Sequence, residues 1–365
     1  MKKNITGKRS PRRKLNPTTI GMDLGDKTSH YCVLERDGQV GSTGTVPTTK
    51  KGMLRTFGRW KRCRLAMEVG THSPWVSRLL QGLGYEVIVA NARRVRLITD
   101  SSYKNDKLDA RTLARLARAD PELLYPIQHR SAEAQQALVV IRARAGLVEA
   151  RTKLVNTVRG LVKPFGERIP KCDAAQMSRK MLEGLPAGLQ QSLQGLAEAI
   201  EKLSEQIKAY DQQIDQIASE QYPETMLLKQ VSGVGTLIAL TFMLTLGDAG
   251  RFEKSRDVGC YLGLRPKQSQ SGDRDRQLAI SKEGDIYLRK LLVQAAQHVL
   301  SRRGPDTDLK RWGLGRSERG GKNAKKKAIV GIARKLAVLL HHLWVSGEVY
   351  EPLRHSQELA ALAVA

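Results

Sequence analysis

Thr19-Ile20-Gly21-Met22-Asp23-Leu24-Gly25, Leu65-Ala66-Met67-Glu68-Val69-Gly70 and Lys104-Asn105-Asp106-Lys107-Leu108-Asp109-Ala110-Arg111 belong to one stretch, Thr18 to Asp109. Asp23 and Glu68 end short apolar runs that read as strands. Asp106 and Asp109 stand three residues apart in a run that reads as a helix, so they share one face. Carboxylates gathered from two strand ends and one helix face repel each other unless a cation sits among them. The set is therefore a candidate Mg²⁺ site.

Thr18–Asp23 predicts one strand and Ser29–Glu35 a second. Asp37-Gly38 is a turn signal, with a third strand in Val40–Val46. Lys50–Arg62 suits a helix and Leu65–Val69 a strand. Thr71 can cap the next helix, with Pro74 in its first turn and Gly84 past its end. Tyr85–Ala90 reads as a strand buried on both faces, and Asn105–Ala119 as a helix. Three strands, helix, strand, helix, strand, helix is the order found in RNase H-like nuclease domains.

The chain has 365 residues, enough for two or three domains, and 41% of them are hydrophobic. Its net charge of +26 favours a polyanionic partner, through phosphate contacts and counterion release. The charge is unevenly placed: residues 1–15 carry seven cations and no acid, and 310–335 form a second basic block. Aromatics make up only 5%, which argues against a binder that works by stacking bases. The four cysteines, at 32, 63, 172 and 260, match no zinc or redox spacing and read as free thiols in a reducing compartment. The apolar runs look too short to span a bilayer, and no signal peptide is read. The expected location is the cytoplasm, associated with the nucleoid, with no membrane partner.

Residues 1–16 read as a basic disordered tail. Ser131–Phe165 reads as a long helix and 166–186 as a connector. Leu189, Leu193, Leu196, Ile200, Leu203, Ile207, Tyr210, Ile214 and Ile217 then alternate spacings of four and three. That pattern argues for a coiled coil, paired with the Ser131 helix or between chains, and predicts a homo-oligomer. Tyr222-Pro223 ends it. Val231-Ser232-Gly233-Val234-Gly235 then enters an apolar helix, Leu237–Leu246, with a turn that can present N–H groups to a phosphate. Arg265–Arg276 reads as a polar segment and Gly284–Leu300 as a helix. Ser301–Lys327 reads as mobile until bound, and Ala328–Trp344 as a closing helix.

Beyond these patterns, the three acidic segments quoted above resemble the DEDD set of the insertion-sequence one-ten family of transposases, described as bridge-RNA-guided recombinases. In the second half Val231–Gly235, Tyr261-Leu262-Gly263-Leu264-Arg265-Pro266, Ser271-Gly272, Ile280-Ser281-Lys282-Glu283-Gly284-Asp285 and Leu288-Arg289-Lys290-Leu291-Leu292 resemble that family's C-terminal domain. The similarity runs over Thr18–Trp344.

The resemblance implies a RuvC-like α/β N-terminal domain over 17–130, in which Asp23, Glu68, Asp106 and Asp109 hold Mg²⁺. Long helices with the coiled coil occupy 131–222, a mostly α C-terminal transposase domain 223–350, and a tail 351–365. The resemblance also implies a serine nucleophile, matched best by Ser271, with Ser269 and Ser281 as the other candidates. A serine hydroxyl needs activation, which a metal ion can supply, and a covalent link conserves the phosphodiester energy. Lys104, Arg265, Lys267, Arg274, Arg276, Lys322, Lys325, Lys326 and Lys327 are the expected nucleic-acid contacts. The partners expected are double-stranded DNA and a structured guide RNA that reads sequence by base pairing. The competing enzyme reading is a hydrolytic nuclease of the junction-resolvase type, in which metal-activated water attacks. A binding scaffold with a degenerate site is the non-enzymatic alternative.

Overall fold

The computed structural model describes residues 18–60, 62–91, 106–271, 274–321 and 323–357, and of 106–107, 271 and 274–277 the backbone alone. The expectations for the 1–16 tail, Lys104 and Lys322 lie outside the described residues. The chain divides into two compact units, 1–130 and 131–365.

The first unit is built on a five-stranded mixed sheet. Its strands are β1 (Thr19–Asp23), β2 (Thr28–Leu34), β3 (Val40–Pro47), β4 (Arg64–Glu68) and β5 (Glu86–Ala90), in the order β3-β2-β1-β4-β5. β2 runs antiparallel to both β1 and β3, whereas β1, β4 and β5 are parallel. Among the described residues three helices cover the sheet: α1 (Lys50–Phe57), α2 (Ser73–Gly82) and α3 (Asp106–Ala119). The period of two along each strand sends alternate side chains to opposite faces. Ile20, Met22, Val33, Leu65 and Met67 pack with Met53, Phe57, Val76 and Leu80 of α1 and α2. The intervening positions meet α3: Cys32 and Leu34 with Ala110 and Ala114, and Ala66, Ile88 and Ala90 with Leu113 and Ala117.

The α3 face is made of small residues, and that lets the helix come close. At Gly21 a Cβ would overlap the Ala110 carbonyl oxygen and lie 2.5 Å from the Ala114 nitrogen. Only glycine admits the helix backbone at that point. Arg64, nearly buried on the same face, donates from Nη1 to the Ala117 carbonyl at 2.9 Å and pairs with Glu86 at 2.9 Å, which fixes the far end of α3.

The second unit opens with two long helices, α4 (Ala132–Leu161) and α5 (Ala187–Gln221). They pack antiparallel. Val155, Val158 and Val162 meet Leu193, Ala197 and Ile200 at one end, and Ala134, Leu138 and Ile141 meet Ile214 and Ala218 at the other. The heptad row Leu193, Ile200, Ile207, Ile214 is buried, while the alternate row Leu189, Leu196, Leu203, Tyr210, Ile217 stays half-exposed. Two arginines enter the seam: Arg144 pairs with Asp211 at 2.5 Å, and Arg151 donates to Ser204 at 3.2 Å. Burial opposes the charge on Arg144, but the Asp211 carboxylate outweighs it and holds the guanidinium above its ordinary pKa.

Six further helices follow: α6 (Thr225–Lys229), α7 (Thr236–Leu246), α8 (Ser255–Tyr261), α9 (Ile286–Val299), α10 (Asp308–Glu318) and α11 (Ala324–Ser346). Phe242, Met243, Val258, Leu288, Leu292, Ile332, Leu336 and Leu340 form their common core. By length and composition α11 could cross a membrane, contrary to the expectation from the apolar runs. Its apolar row instead fills this core.

Three segments differ from expectation. The polar segment from Arg265 contains two strands, β6 (Pro266–Ser271) and β7 (Arg274–Ile280), paired antiparallel. Its polar alternation carries no hydrophobic signal, so pairing and not burial defines it. The basic stretch from Ser301 contains α10, started by Thr307, whose Oγ1 accepts from the Lys310 N–H. The start of the C-terminal tail is tied back to α10: Asp308 N–H donates to Pro352 O at 2.8 Å, and Asp308 Oδ2 accepts from His355 N at 2.8 Å.

Candidate active site

Asp23 and Glu68 are the last residues of β1 and β4, the two central parallel strands. Met22 pairs with Met67, so the two acids are next in line at neighbouring carboxyl ends. The strand alternation that sends Ile20, Met22, Leu65 and Met67 to the α1–α2 core sends Asp23 and Glu68 to the α3 face. Both are half-buried. Asp109, also half-buried, precedes Ala110, the residue whose backbone meets Gly21. The close approach at Gly21 thus sets α3, and Asp109 with it, against the strand that carries Asp23. Asp106 begins the same helix, and its side chain lies outside the described residues.

Another side chain joins this face without having been expected there. The β1–β2 ladder pairs Asp23 directly with His30, which is half-buried. Centring the hairpin on Asp26-Lys27 would have brought these two positions together from sequence alone, because an antiparallel register pairs residues symmetric about the turn.

Among the described residues, no three His, Cys, Asp or Glu side chains converge closely enough to hold a metal ion. The acids present still fit a hard divalent cation by donor chemistry. They offer carboxylate oxygens only, from adjacent strand ends and one helix, with Asp106 as the remaining member.

Two of the serine candidates, Ser269 and Ser271, sit on the β6–β7 hairpin. The ladder pairs Ser271 with Arg274 and Ser269 with Arg276. Ser269 and Lys267 are exposed. Ser281 lies beyond β7, where its hydroxyl accepts from the Glu283 N–H at 3.4 Å and so closes a local turn. The hairpin stands on a tight crossing. Gly263 (φ +66°) and Gly284 (φ +73°) leave no room for a Cβ: at Gly263 it would overlap the Glu283 backbone, and at Gly284 the Tyr261 carbonyl. Arg289, nearly buried, donates to the Leu262 carbonyl at 3.0 Å and to that of Glu283. Asp285 caps α9 through the Leu288 N–H and takes Arg142 of α4 at 2.5 Å. The segments around 263 and 284 therefore build the base of the hairpin.

The cationic positions are spread over the second unit. Arg265 precedes β6 and is exposed. Arg274 and Arg276 lie in β7, with side chains outside the described residues. Lys325, Lys326 and Lys327 are exposed in the first turn of α11. The glycine turn at 233–235 joins α6 to α7 beside an open cavity of about 470 Å³ that Lys229, Gln294 and His298 help to line.

Two family sequence models match this chain. A DEDD transposase model of the IS110 type covers residues 20–165, and the transposase IS116/IS110/IS902 family covers 225–311. A probable family 20 transposase of Pseudomonas aeruginosa is 30% identical over 93% of this chain and 100% of its own length. The chain belongs to this transposase family. The transposase is also 28% identical to the transposase for insertion sequence element IS1111A of Coxiella burnetii, over 91% of this chain and 90% of the relative. A pilin gene-inverting protein of Moraxella bovis is 30% identical over 36% of this chain and 41% of its own. The first model spans Asp23, Glu68, Asp106 and Asp109, and the second spans the β6–β7 hairpin. The transposase is a DNA cleavage and transfer enzyme.

Proposed function

We propose that the transposase has an RNase H-like, RuvC-type first unit and cuts and rejoins the DNA of a mobile element through a covalent serine–DNA intermediate, with Mg²⁺ held by Asp23, Glu68, Asp106 and Asp109. The observation that carries this reading is the alignment of Asp23 and Glu68 at neighbouring strand ends, on the face that α3 covers. The sheet order β3-β2-β1-β4-β5, with β2 alone antiparallel among the three central strands, supports the fold assignment. When bound, such an ion lowers the pKa of a coordinated hydroxyl and neutralises charge at the phosphate.

Ser271 Oγ forms a bond to the phosphorus of a phosphodiester. The bond from phosphorus to one deoxyribose oxygen breaks, and the serine proton leaves with that oxygen. Attack by a deoxyribose hydroxyl reverses the exchange and rejoins a strand, so no nucleotide cofactor is consumed. Arg274 and Arg276, opposite Ser271 and Ser269 in the ladder, supply positive charge for the phosphate.

Denaturing electrophoresis of the enzyme after reaction with labelled DNA tests both parts. The expected result is a protein–DNA adduct that Ser271→Ala abolishes, and loss of all strand cleavage in Asp23→Ala with DNA binding retained. Free nicked ends in Ser271→Ala at the wild-type rate would replace the serine mechanism with hydrolysis by water.

The charge of +26, the exposed Lys325–Lys327 cluster and the low aromatic content support a structured guide RNA beside double-stranded DNA, acting in the cytoplasm. Leu203 and Tyr210, half-exposed on the same face of α5, support a homo-oligomer with a coiled-coil contact between chains. Light scattering should give a mass above one chain of 40.5 kDa. A monomer with and without nucleic acid removes the oligomer.

A further inference from the structure

The loops that leave β1 and β4 are joined by a three-residue chain that the strand-exchange chemistry does not use. Trp75, in the first turn of α2, is half-buried against the core on the α1–α2 side of the sheet. Its indole Nε1–H donates to His72 Nδ1 at 3.0 Å. His72 is the N-cap residue of α2, but its side chain makes no capping bond. Its other nitrogen, Nε2, lies 3.2 Å from Asp26 Oδ1.

These contacts fix the tautomer. An indole nitrogen can only donate, so His72 Nδ1 must accept. The proton of the neutral ring then sits on Nε2, which donates to the Asp26 carboxylate. A ring flip forfeits both bonds, so tautomer and orientation are set together. The Trp75 ring meets the imidazole edge-on, with centroids 6.1 Å apart.

Asp26 follows Asp23 by three residues, and His72 follows Glu68 by four. On its other side the β1 exit loop is pinned by Thr48. The Thr48 Oγ1 donates to the Gly25 carbonyl at 2.9 Å, and its N–H donates to the Lys27 carbonyl at 2.8 Å. Asp26 itself is 90% exposed and the imidazole is neutral, so the contact contributes little to stability. Its value is directional: a donor whose position the core-anchored indole dictates.

We propose that the Asp26–His72–Trp75 chain is a positioning device, which ties the exit loops of β1 and β4 so that Asp23 and Glu68 present their oxygens to a divalent cation at one fixed spacing. The proposal rests on the metal-binding reading of those two acids. Outer groups of this kind tune metal affinity without touching the metal.

The test uses the full chain and Mn²⁺ as the probe ion, with affinity read by calorimetry, beside nitrogen-15 spectra of labelled histidine. The spectra should show His72 in one Nε2–H tautomer, and Trp75→Phe should turn it into a mixture. A mixture already present in the wild type overturns the proposal. His72→Ala and Asp26→Ala should each weaken Mn²⁺ binding roughly tenfold. Asp26→Asn, which keeps an acceptor oxygen, should bind close to wild type. Lower melting temperatures with unchanged Mn²⁺ affinity in both alanine variants would reduce the chain to a stabilising contact and overturn its positioning role. A wild-type protein that binds no Mn²⁺ would overturn the metal reading itself, whatever the tautomer spectra show.

Discussion

Residue identity decides most at positions where the backbone or the solvent leaves no alternative. Cys63, just before β4, is buried, and burial pushes its thiol up to about 11 from an ordinary 9.0. Tyr85, packed in the same core, is raised in the same direction, by burial first and by Cys63 next. A raised thiol pKa means that the folded state holds the proton more tightly than the unfolded chain. The stability it contributes is therefore fully present below pH 9 and is lost as pH rises through about 11. Denaturant midpoints measured from pH 8 to 11 should fall more steeply in the wild type than in Cys63→Ala. Parallel curves would mean that the thiol is solvated in the folded state.

At the scale of elements, each unit holds its candidate residues by a close crossing of its own, and both crossings depend on missing Cβ atoms. Gly21 lets α3 lie against β1, and Gly263 with Gly284 lets the connections at the foot of the β6–β7 hairpin pass each other. A side chain at position 21 must push α3 off the sheet, and with it the small-residue contacts of Ala110 and Ala114 with Cys32. Gly21→Ala should destabilise the first unit by about 1–3 kcal/mol, the usual cost of overpacking, read as a lower melting temperature. Strand cleavage should fall further than the melting shift explains, because Asp109 rides on the displaced helix. Wild-type melting and cleavage in Gly21→Ala would show that the helix relaxes without consequence.

Element identity was legible where a hydrophobic period existed. Strands β1, β2, β4 and β5 and helices α3, α4 and α5 sit where their apolar spacing predicted, with ends shifted by a few residues. It was not legible in β6, β7 and α10. Pro266–Ser271 and Arg274–Ile280 are mostly polar and gain their order from cross-strand hydrogen bonds. α10 is short and basic, and it is fixed by the Thr307 cap and by Asp308, which accepts from residues some 47 positions away. Such long-range bonds leave no periodic trace.

At the scale of the whole molecule, the charge of +26 is the property that a polyanion meets first. Lys325, Lys326 and Lys327 are exposed together at the start of α11, whose opposite face is core. Each lysine that contacts a phosphate should contribute roughly 0.9 to the slope of log affinity against log salt on duplex DNA. Replacing all three by alanine should flatten that slope and weaken binding about equally across DNA sequences. An unchanged slope would place the nucleic acid elsewhere on the protein.

The acidic positions, the family resemblance, the long helices and the preference for a polyanion were all legible in the sequence alone. Those properties are written in local spacing, in residue chemistry and in summed charge, none of which needs a folded neighbour. The tertiary structure alone decided that Asp23 and Glu68 stand side by side on the α3 face, that His30 joins them, and that Asp26, His72 and Trp75 form a chain across two loops. It also decided that the heptad helix pairs with α4 of its own chain. Strand order, ladder register and the choice of helix partner are set by contacts between residues far apart in sequence, and a carboxylate acquires neighbours only once those contacts form.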